Sequence, residues 1–187
     1  MDAEKSRAFA LETSYYLFLQ RRMYEIFTYV SCNKNNFKTY SIQNESLLLD
    51  VCSFFDSLKQ NLSNERSKNY EELFNELNLS TKEVKINSYE GNFQDGYTLT
   101  PFKNWVGKQP APWWDAFTSL KHDRLSNFKK ATLGNVINAL AACFILLLER
   151  HEEQCKKRQI PEMEKLFLPK YWILNDGGYI PVMTTYK

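Results

Sequence analysis

The apolar run from Val136 to Leu148 limits what this chain can fold into more than any other feature. It is thirteen residues long, contains one polar side chain, Asn138, and is followed directly by Glu149 and Arg150. A helix needs about 20 apolar residues to cross the hydrocarbon core of a bilayer, so this run is too short. From Ala139 to Leu148 every side of a helix would be apolar, and protein must therefore cover all of it. We expect a central helix buried in a bundle, with no membrane contact.

Most of the remaining chain repeats apolar residues at steps of three and four, which places them on one face of a helix. This spacing predicts helices over 4–31, 44–60, 66–78, 112–123 and 126–157. Asn44 and Ser126 are the expected N-caps of the second and last helices, and Pro112 fits the first turn of the fourth. Six glycines and six prolines in 187 residues are about half the usual share, which favours helices over a turn-rich β fold.

Two segments show strand character instead. Short alternating runs flank a glycine-containing turn, which predicts a β-hairpin over about 84–100. A second hairpin is expected over about 171–183, where Pro181 would keep its strand at a sheet edge. The chain shows neither a repeat nor an interdomain linker. The predicted fold class is therefore mainly α, with a single domain over 1–187, four to five helices and one or two short β-hairpins.

Charge gives a weak indication of function. The chain carries 24 basic and 22 acidic residues, too even a balance to predict nucleic-acid binding from bulk charge. The charges are unevenly distributed, however. Residues 60–100 hold four basic and seven acidic groups, whereas residues 101–130 hold six basic and two acidic groups. The positive segment is either solvated surface or a patch that faces an anion.

Cysteine and histidine usage argues against metal and redox chemistry. The four cysteines form no Cys-x-x-Cys pair, and His122 and His151 are the only histidines. We therefore predict no metal site and expect buried, reduced thiols. No glycine-rich phosphate loop is present, so no cofactor is expected. The N-terminus is charged and lacks a signal-type apolar core, from which we expect a cytoplasmic protein.

The most distinctive segment is the predicted helix over 112–123 and the residues just after it. At 100° per residue, Trp113, Phe117 and Leu120 share one face, and with Trp114 they are expected to dock the helix on the core. Asp115, Ser119 and His122 share another face. These are the residue types of a serine hydrolase triad, but no Gly-x-Ser-x-Gly elbow accompanies them, so we do not favour that chemistry.

His122 and Arg124 are the catalytic candidates. Histidine exchanges protons near neutral pH, and arginine can hold a phosphate with two parallel hydrogen bonds. The predicted phosphate- and RNA-binding residues are Lys121, Lys103, Lys108 and Trp105, the last as a base-stacking platform. The alternatives are a non-catalytic His122 that hydrogen-bonds a neighbouring helix and a Trp105 that belongs to the core.

The segment also resembles a known family. The pattern Trp-Trp-x-x-Phe-x-x-x-Lys-His-Asp-Arg, followed by Phe128-x-x-Ala131-Thr-Leu133 and a long Ala/Leu-rich helix, is similar to bacterial HEPN-type bundles over about 105–150. The resemblance implies an often dimeric helical bundle in prokaryotic toxin–antitoxin or defence systems, with a second copy, RNA or an antitoxin-type protein as partners. Active members are metal-independent endoribonucleases with an Arg-x(4–6)-His motif. Asp115, Ala116 and Phe117 stand where that arginine would be.

Two functional hypotheses follow. The first is an RNA- or nucleotide-binding protein, with metal-independent RNA cleavage as its enzymatic form. The alternative is a non-catalytic homodimeric scaffold or partner-docking protein. The second is favoured by the aromatic content of 13 Phe, 11 Tyr and 4 Trp, because surplus aromatic side chains suit interfaces.

Overall fold

A computed structural model describes residues 3–87, 97–105, 109–156, 166–170, 172–175 and 178–181. The fold is mainly helical with short antiparallel strands, which confirms the predicted fold class. The described residues contain these α-helices: α1 (Ala3–Phe27), α2 (Ile42–Glu65), α3 (Tyr70–Glu76), α4 (Pro112–His122), α5 (Arg124–Asn127), α6 (Leu133–Arg150) and α7 (Glu152–Lys156).

Helix α6 is the central element, as its sequence predicts. It packs against α1, α2 and α4, and every residue from Ala139 to Leu148 is buried. Among the described helices, α6 alone is long and apolar enough to span a bilayer by length and composition, but 72% of its apolar stretch is buried inside the fold. Because its apolar surface is covered by neighbouring helices, α6 has the environment of a core helix.

The start of α2 differs from the prediction. Its N-cap is Ser41, whose hydroxyl oxygen accepts a hydrogen bond from the backbone N–H of Asn44 at 3.1 Å. Asn44 itself lies within the first turn, and its side-chain amide donates to the carbonyl of Thr39 at 3.1 Å. The prediction of Asn44 as the cap is therefore wrong: the helix begins one turn earlier, at a residue that caps equally well.

The predicted helix over 126–157 is broken into three pieces. Asp123 caps α5 by accepting from the backbone N–H of Ser126 at 3.1 Å, and Thr132 caps α6 by accepting from that of Asn135 at 3.2 Å. Ser126 is thus not the cap of the central helix. The side-chain amide of Asn127 donates to backbone carbonyls at the end of α4, so the chain turns between α4 and α6 instead of continuing as one helix.

A cluster of aromatic rings fixes α4 on α2. The Trp113 ring meets the Phe55 ring edge-on at 4.9 Å between centroids, and its indole N–H donates to the carbonyl of Pro101 at 2.8 Å. Edge-to-face ring pairs add to the gain from burial itself. The rings of the cluster are Phe55, Tyr70, Phe74, Phe102, Trp105, Trp113, Trp114 and Phe117.

Two small sheets complete the fold. Strand β1 (Val84–Ile86) pairs antiparallel with β2 (Thr98–Leu99), as expected for the hairpin over 84–100, and with β3 (Phe167–Pro169), which the sequence did not indicate. Strands β4 (Trp172–Asn175) and β5 (Gly178–Pro181) pair antiparallel within the second predicted hairpin. Residues 88–96, 171, 176, 177, 182 and 183 of these hairpins lie outside the described residues.

All four cysteines are buried, as expected, and they form no disulfide with one another. Burial raises the pKa of the Cys32 thiol to about 12, and it raises the pKa of Cys52 and Cys143 well above the ordinary value. A thiol that stays protonated is a poor nucleophile and a poor metal ligand, so these three side chains act as small apolar core residues.

Candidate functional site

The turn from α4 into α5 carries the sequence-predicted catalytic candidates on an exposed corner. We call Lys121, His122 and Arg124 the α4–α5 corner. All residues from Lys121 to Ser126 are exposed. Lys121 and His122 occupy the last turn of α4, where the helix dipole favours positive charge. The corner is therefore an accessible surface that presents two basic side chains, Lys121 and Arg124.

His122 has no fixed partner in the described part of the chain. Neither ring nitrogen has a hydrogen bond or an ion pair there, so the predicted alternative of a bond to a neighbouring helix is not seen. An exposed imidazole without a fixed partner is available to a ligand.

Arg124 is anchored at one atom only. Its Nε lies 2.9 Å from Oε1 of Glu45 on α2. The two side chains differ sharply in exposure, 63% for Arg124 against 9% for Glu45. Among the described residues, the two Nη groups of Arg124 have no partner. The guanidinium is thus held from the protein side and open toward solvent.

The acidic residues near the corner are already engaged. Lys130 Nζ contacts Asp115 Oδ2 at 3.0 Å and Ser119 Oγ at 2.7 Å. Two of the three side chains on the predicted Asp–Ser–His face are therefore joined through a lysine, and His122 is not joined to them. This arrangement has no base aimed at Ser119 and cannot act as a serine hydrolase triad.

Asp123, which lies between His122 and Arg124 in the sequence, also has fixed hydrogen-bond partners. Its carboxylate accepts the hydrogen bonds of Ser126 that cap α5, and these bonds lower its pKa below the ordinary value. The carboxylate is thus held at the start of α5 and stays ionised, so it places an exposed negative charge between Lys121 and Arg124.

The remaining predicted binding residues lie at the other end of α4. Lys103 is exposed, and Trp105 packs against Trp113 at the start of α4 with 5.6 Å between ring centroids. An eleven-residue helix is about 16 Å long, so Lys103 and Trp105 do not form one compact site with the α4–α5 corner. Trp105 is only partly buried but is surrounded by rings of the aromatic cluster. Lys108 lies outside the described residues.

The residues predicted to dock α4 face the core. Trp113, Phe117 and Leu120 are buried, and Trp114 is partly buried against the same cluster. Their packing fixes the direction of α4, and with it the position of His122 at the end of the helix.

Sequence reasoning missed a buried charged network at the far end of α6. Glu12 Oε2 lies 2.8 Å from Arg150 Nε and accepts a hydrogen bond from His151 Nε2 at 2.7 Å. Asn61 Nδ2 donates to Glu12 Oε1 at 3.2 Å, and Glu65 lies 3.0 Å from Arg150 Nη2. The signal that could have revealed the network is a glutamate at position 12 on the apolar face of α1, four residues before Tyr16.

The network sets the charge state of Glu12. Burial alone would raise the pKa of this carboxyl, but the hydrogen bond from His151 and the positive charge of Arg150 outweigh it. The pKa of Glu12 therefore lies below its ordinary value of 4.5. The buried carboxylate stays ionised at neutral pH and joins α1, α2 and the end of α6.

One side of the fold leaves apolar side chains in water. On α1, Leu11 is 70% exposed, Phe18 is 50% exposed and Tyr15 is 43% exposed. We call these three residues the α1 stripe. Beside it a groove of about 370 Å³ runs between α1 and α2, with Phe54 and Leu58 among its walls. Contiguous exposed apolar surface of this kind is typical of interaction sites.

Neither a metal site nor a similar protein indicates a function for this chain. The described residues contain no group of three or more His, Cys, Asp and Glu side chains that could hold a metal ion. Comparisons of the chain with protein-family models, with curated proteins and with solved structures find no match.

Proposed function

We propose that this protein binds RNA through the phosphate backbone at the α4–α5 corner. One observation carries the proposal: an exposed, unpartnered His122 stands beside an arginine whose Nη groups face solvent. Arginine and lysine contacts to phosphate supply most of the affinity in sequence-independent RNA binding. Lys121 adds a further exposed positive charge next to the pair.

The same arrangement has the groups that metal-independent RNA cleavage needs. An imidazole can remove the proton from a ribose 2′-hydroxyl, and a guanidinium can stabilise the charge that develops on the attacked phosphate. His122 and Arg124 are the residues proposed for these roles. By its HEPN resemblance, the protein is further proposed to act in a prokaryotic toxin or defence system with an antitoxin-type partner.

The test is binding of a fluorescent single-stranded RNA by anisotropy at low salt. Because lost phosphate contacts weaken binding, we expect Arg124→Ala to lower affinity and to flatten its dependence on salt. Arg21→Ala is the matched control, since Arg21 is an exposed arginine on α1. No binding by the wild type, or equal losses in the two variants, would refute the proposal. RNA cleavage that disappears in His122→Ala, with binding retained, would establish the catalytic form.

A second candidate function is self-association, and the α1 stripe favours it. Leu11 and Tyr15 of the stripe form one wall of the groove between α1 and α2, so the stripe and the groove make one continuous face. In a two-fold dimer, this face of each copy can pack on the same face of the other, so that apolar side chains of one copy fill the groove of its partner. We therefore propose a second copy of this chain as the occupant.

Sedimentation velocity across a range of concentrations tests the dimer. Leu11→Glu places a charge in the proposed contact, so we expect it to shift the population to monomer. Leu125→Glu makes the same change at a 90% exposed leucine on α5 and should leave the dimer intact. A wild type that stays monomeric at tens of micromolar, or the same response from both variants, would contradict the dimer.

A further inference from the structure

We infer that Glu45 positions Arg124 to grip a single RNA phosphate with two parallel hydrogen bonds. This inference rests on the proposed RNA binding and names the geometry that would bring it about. Glu45 itself touches no ligand in this arrangement; it acts only through Arg124.

Glu45 is well placed to hold another side chain still. It lies in the first turn of α2, its backbone N–H donates to the carbonyl of Ser41 at 3.0 Å, and the residue is 7% exposed. The helix that carries it packs against the central helix α6. Because the Glu45 side chain is largely buried, its carboxylate has little room to move, whereas an exposed carboxylate would move with its partner.

The atom that Glu45 holds decides what remains for a ligand. A guanidinium has five N–H donors in a rigid plane. Nε forms an ion pair with Glu45 Oε1 at 2.9 Å without the geometry of a hydrogen bond, and the edge formed by the two Nη groups is left open. That edge matches the spacing of two phosphate oxygens, and an ion pair that restrains the side chain beforehand reduces the entropy that is lost on binding.

Bulk electrostatics makes the opposite prediction, which gives the inference a sharp test. If Glu45 acted only as a negative charge near the RNA, its removal would strengthen binding. If it positions Arg124, its removal releases the guanidinium and weakens binding. The variant Arg124→Lys separates the effect of charge from the effect of geometry. An ammonium group keeps the positive charge, but it cannot contact Glu45 and at the same time offer a ligand two parallel N–H donors.

The experiment measures the dissociation constant of a short single-stranded RNA by anisotropy at several salt concentrations. We expect Glu45→Gln and Arg124→Lys each to weaken binding about 5- to 10-fold, as loss of a bidentate contact predicts. The double variant should lose little more than either single variant, because both changes remove one arrangement. The salt dependence of Arg124→Lys should match the wild type, since the charge is kept.

Asp50→Asn is the matched control for Glu45→Gln. Asp50 also lies on α2 and pairs with an arginine, Arg22, so the variant removes the same charge from the same kind of pair. It should leave RNA affinity unchanged or slightly raised. Wild-type affinity in Glu45→Gln, or tighter binding, would overturn the positioning role while RNA binding stands; absence of binding in the wild type would remove both. If Glu45→Gln lowers the melting temperature enough to unfold at assay temperature, Arg124→Lys decides, and its unchanged affinity would overturn the inference.

Discussion

Replacing Glu12 by Gln should destabilise the protein far more than the same change at an exposed ion pair. The side chain of Glu12 is about 10% exposed. It forms an ion pair with Arg150 and accepts hydrogen bonds from His151 and Asn61. A glutamine presents an N–H₂ group where donors already stand, and it leaves Arg150, 7% exposed, with Glu65 as its remaining carboxylate.

The expected magnitude follows from the burial of the network. Removing one partner of a buried ion pair costs about 3–5 kcal/mol, out of a total stability of roughly 5–15 kcal/mol for a domain. For a chain of this length, that corresponds to a fall in melting temperature of roughly 6–20 °C. Urea unfolding followed by circular dichroism measures the change as a lower midpoint at constant slope.

Glu83→Gln provides the comparison. Glu83 pairs with Lys170 at 2.8 Å, with side-chain exposures of 38% and 46%, and exposed pairs contribute about 0–1 kcal/mol. If Glu12→Gln and Glu83→Gln lowered the free energy of unfolding by the same small amount, the network at Glu12 would not stabilise the fold as reasoned.

Three further outcomes follow from single contacts. Because the folded-state pKa of Glu12 lies below 4.5, its contribution is complete above that pH and is lost as pH falls through the folded value; the stability gap between wild type and Glu12→Gln should narrow in acid unfolding curves. Trp113→Phe loses the hydrogen bond to the Pro101 carbonyl and should cost about 1–3 kcal/mol in urea unfolding. Gly134→Ala places a Cβ 3.1 Å from the Phe37 carbonyl oxygen, and the melting temperature should fall.

Local patterns in the sequence were sufficient where one helix face decides the structure. The apolar run from Ala139 to Leu148 has no polar side, and burial is the only environment that suits it. The face with Trp113, Phe117 and Leu120 was likewise readable, because bulky apolar residues at helical spacing have one low-energy orientation.

Helix ends were harder to predict because several neighbouring residues could cap equally well. Ser41 and Asn44 both have capping side chains, and the choice depends on Thr39, which accepts the Asn44 amide. Likewise, the break before α6 depends on Leu133, whose backbone N–H donates to the Thr39 carbonyl far away in the chain. A local pattern does not contain that contact.

Long-range pairing also explains what was missed at the sites. Strand β3 joins β1 across about eighty residues, and Glu12 meets His151 across 139 positions. The exposed corner at His122 could be located from its helix, but Glu45, the partner of Arg124, lies on another helix and had no signal of its own. Periodicity shows that a helix has apolar residues on one face, but it shows neither how much of that face is buried, as the exposed α1 stripe illustrates, nor which residue meets it.

The most direct test of RNA binding at the α4–α5 corner is an NMR titration of ¹³C-labelled histidine side chains in the intact protein. The chain has only two histidines, the exposed His122 and the buried His151, so the second is an internal reference. On addition of single-stranded RNA at low salt, the His122 Cε1–H signal should move progressively to saturation while the His151 signal stays in place. A His122 signal that does not move at saturating RNA would contradict the account.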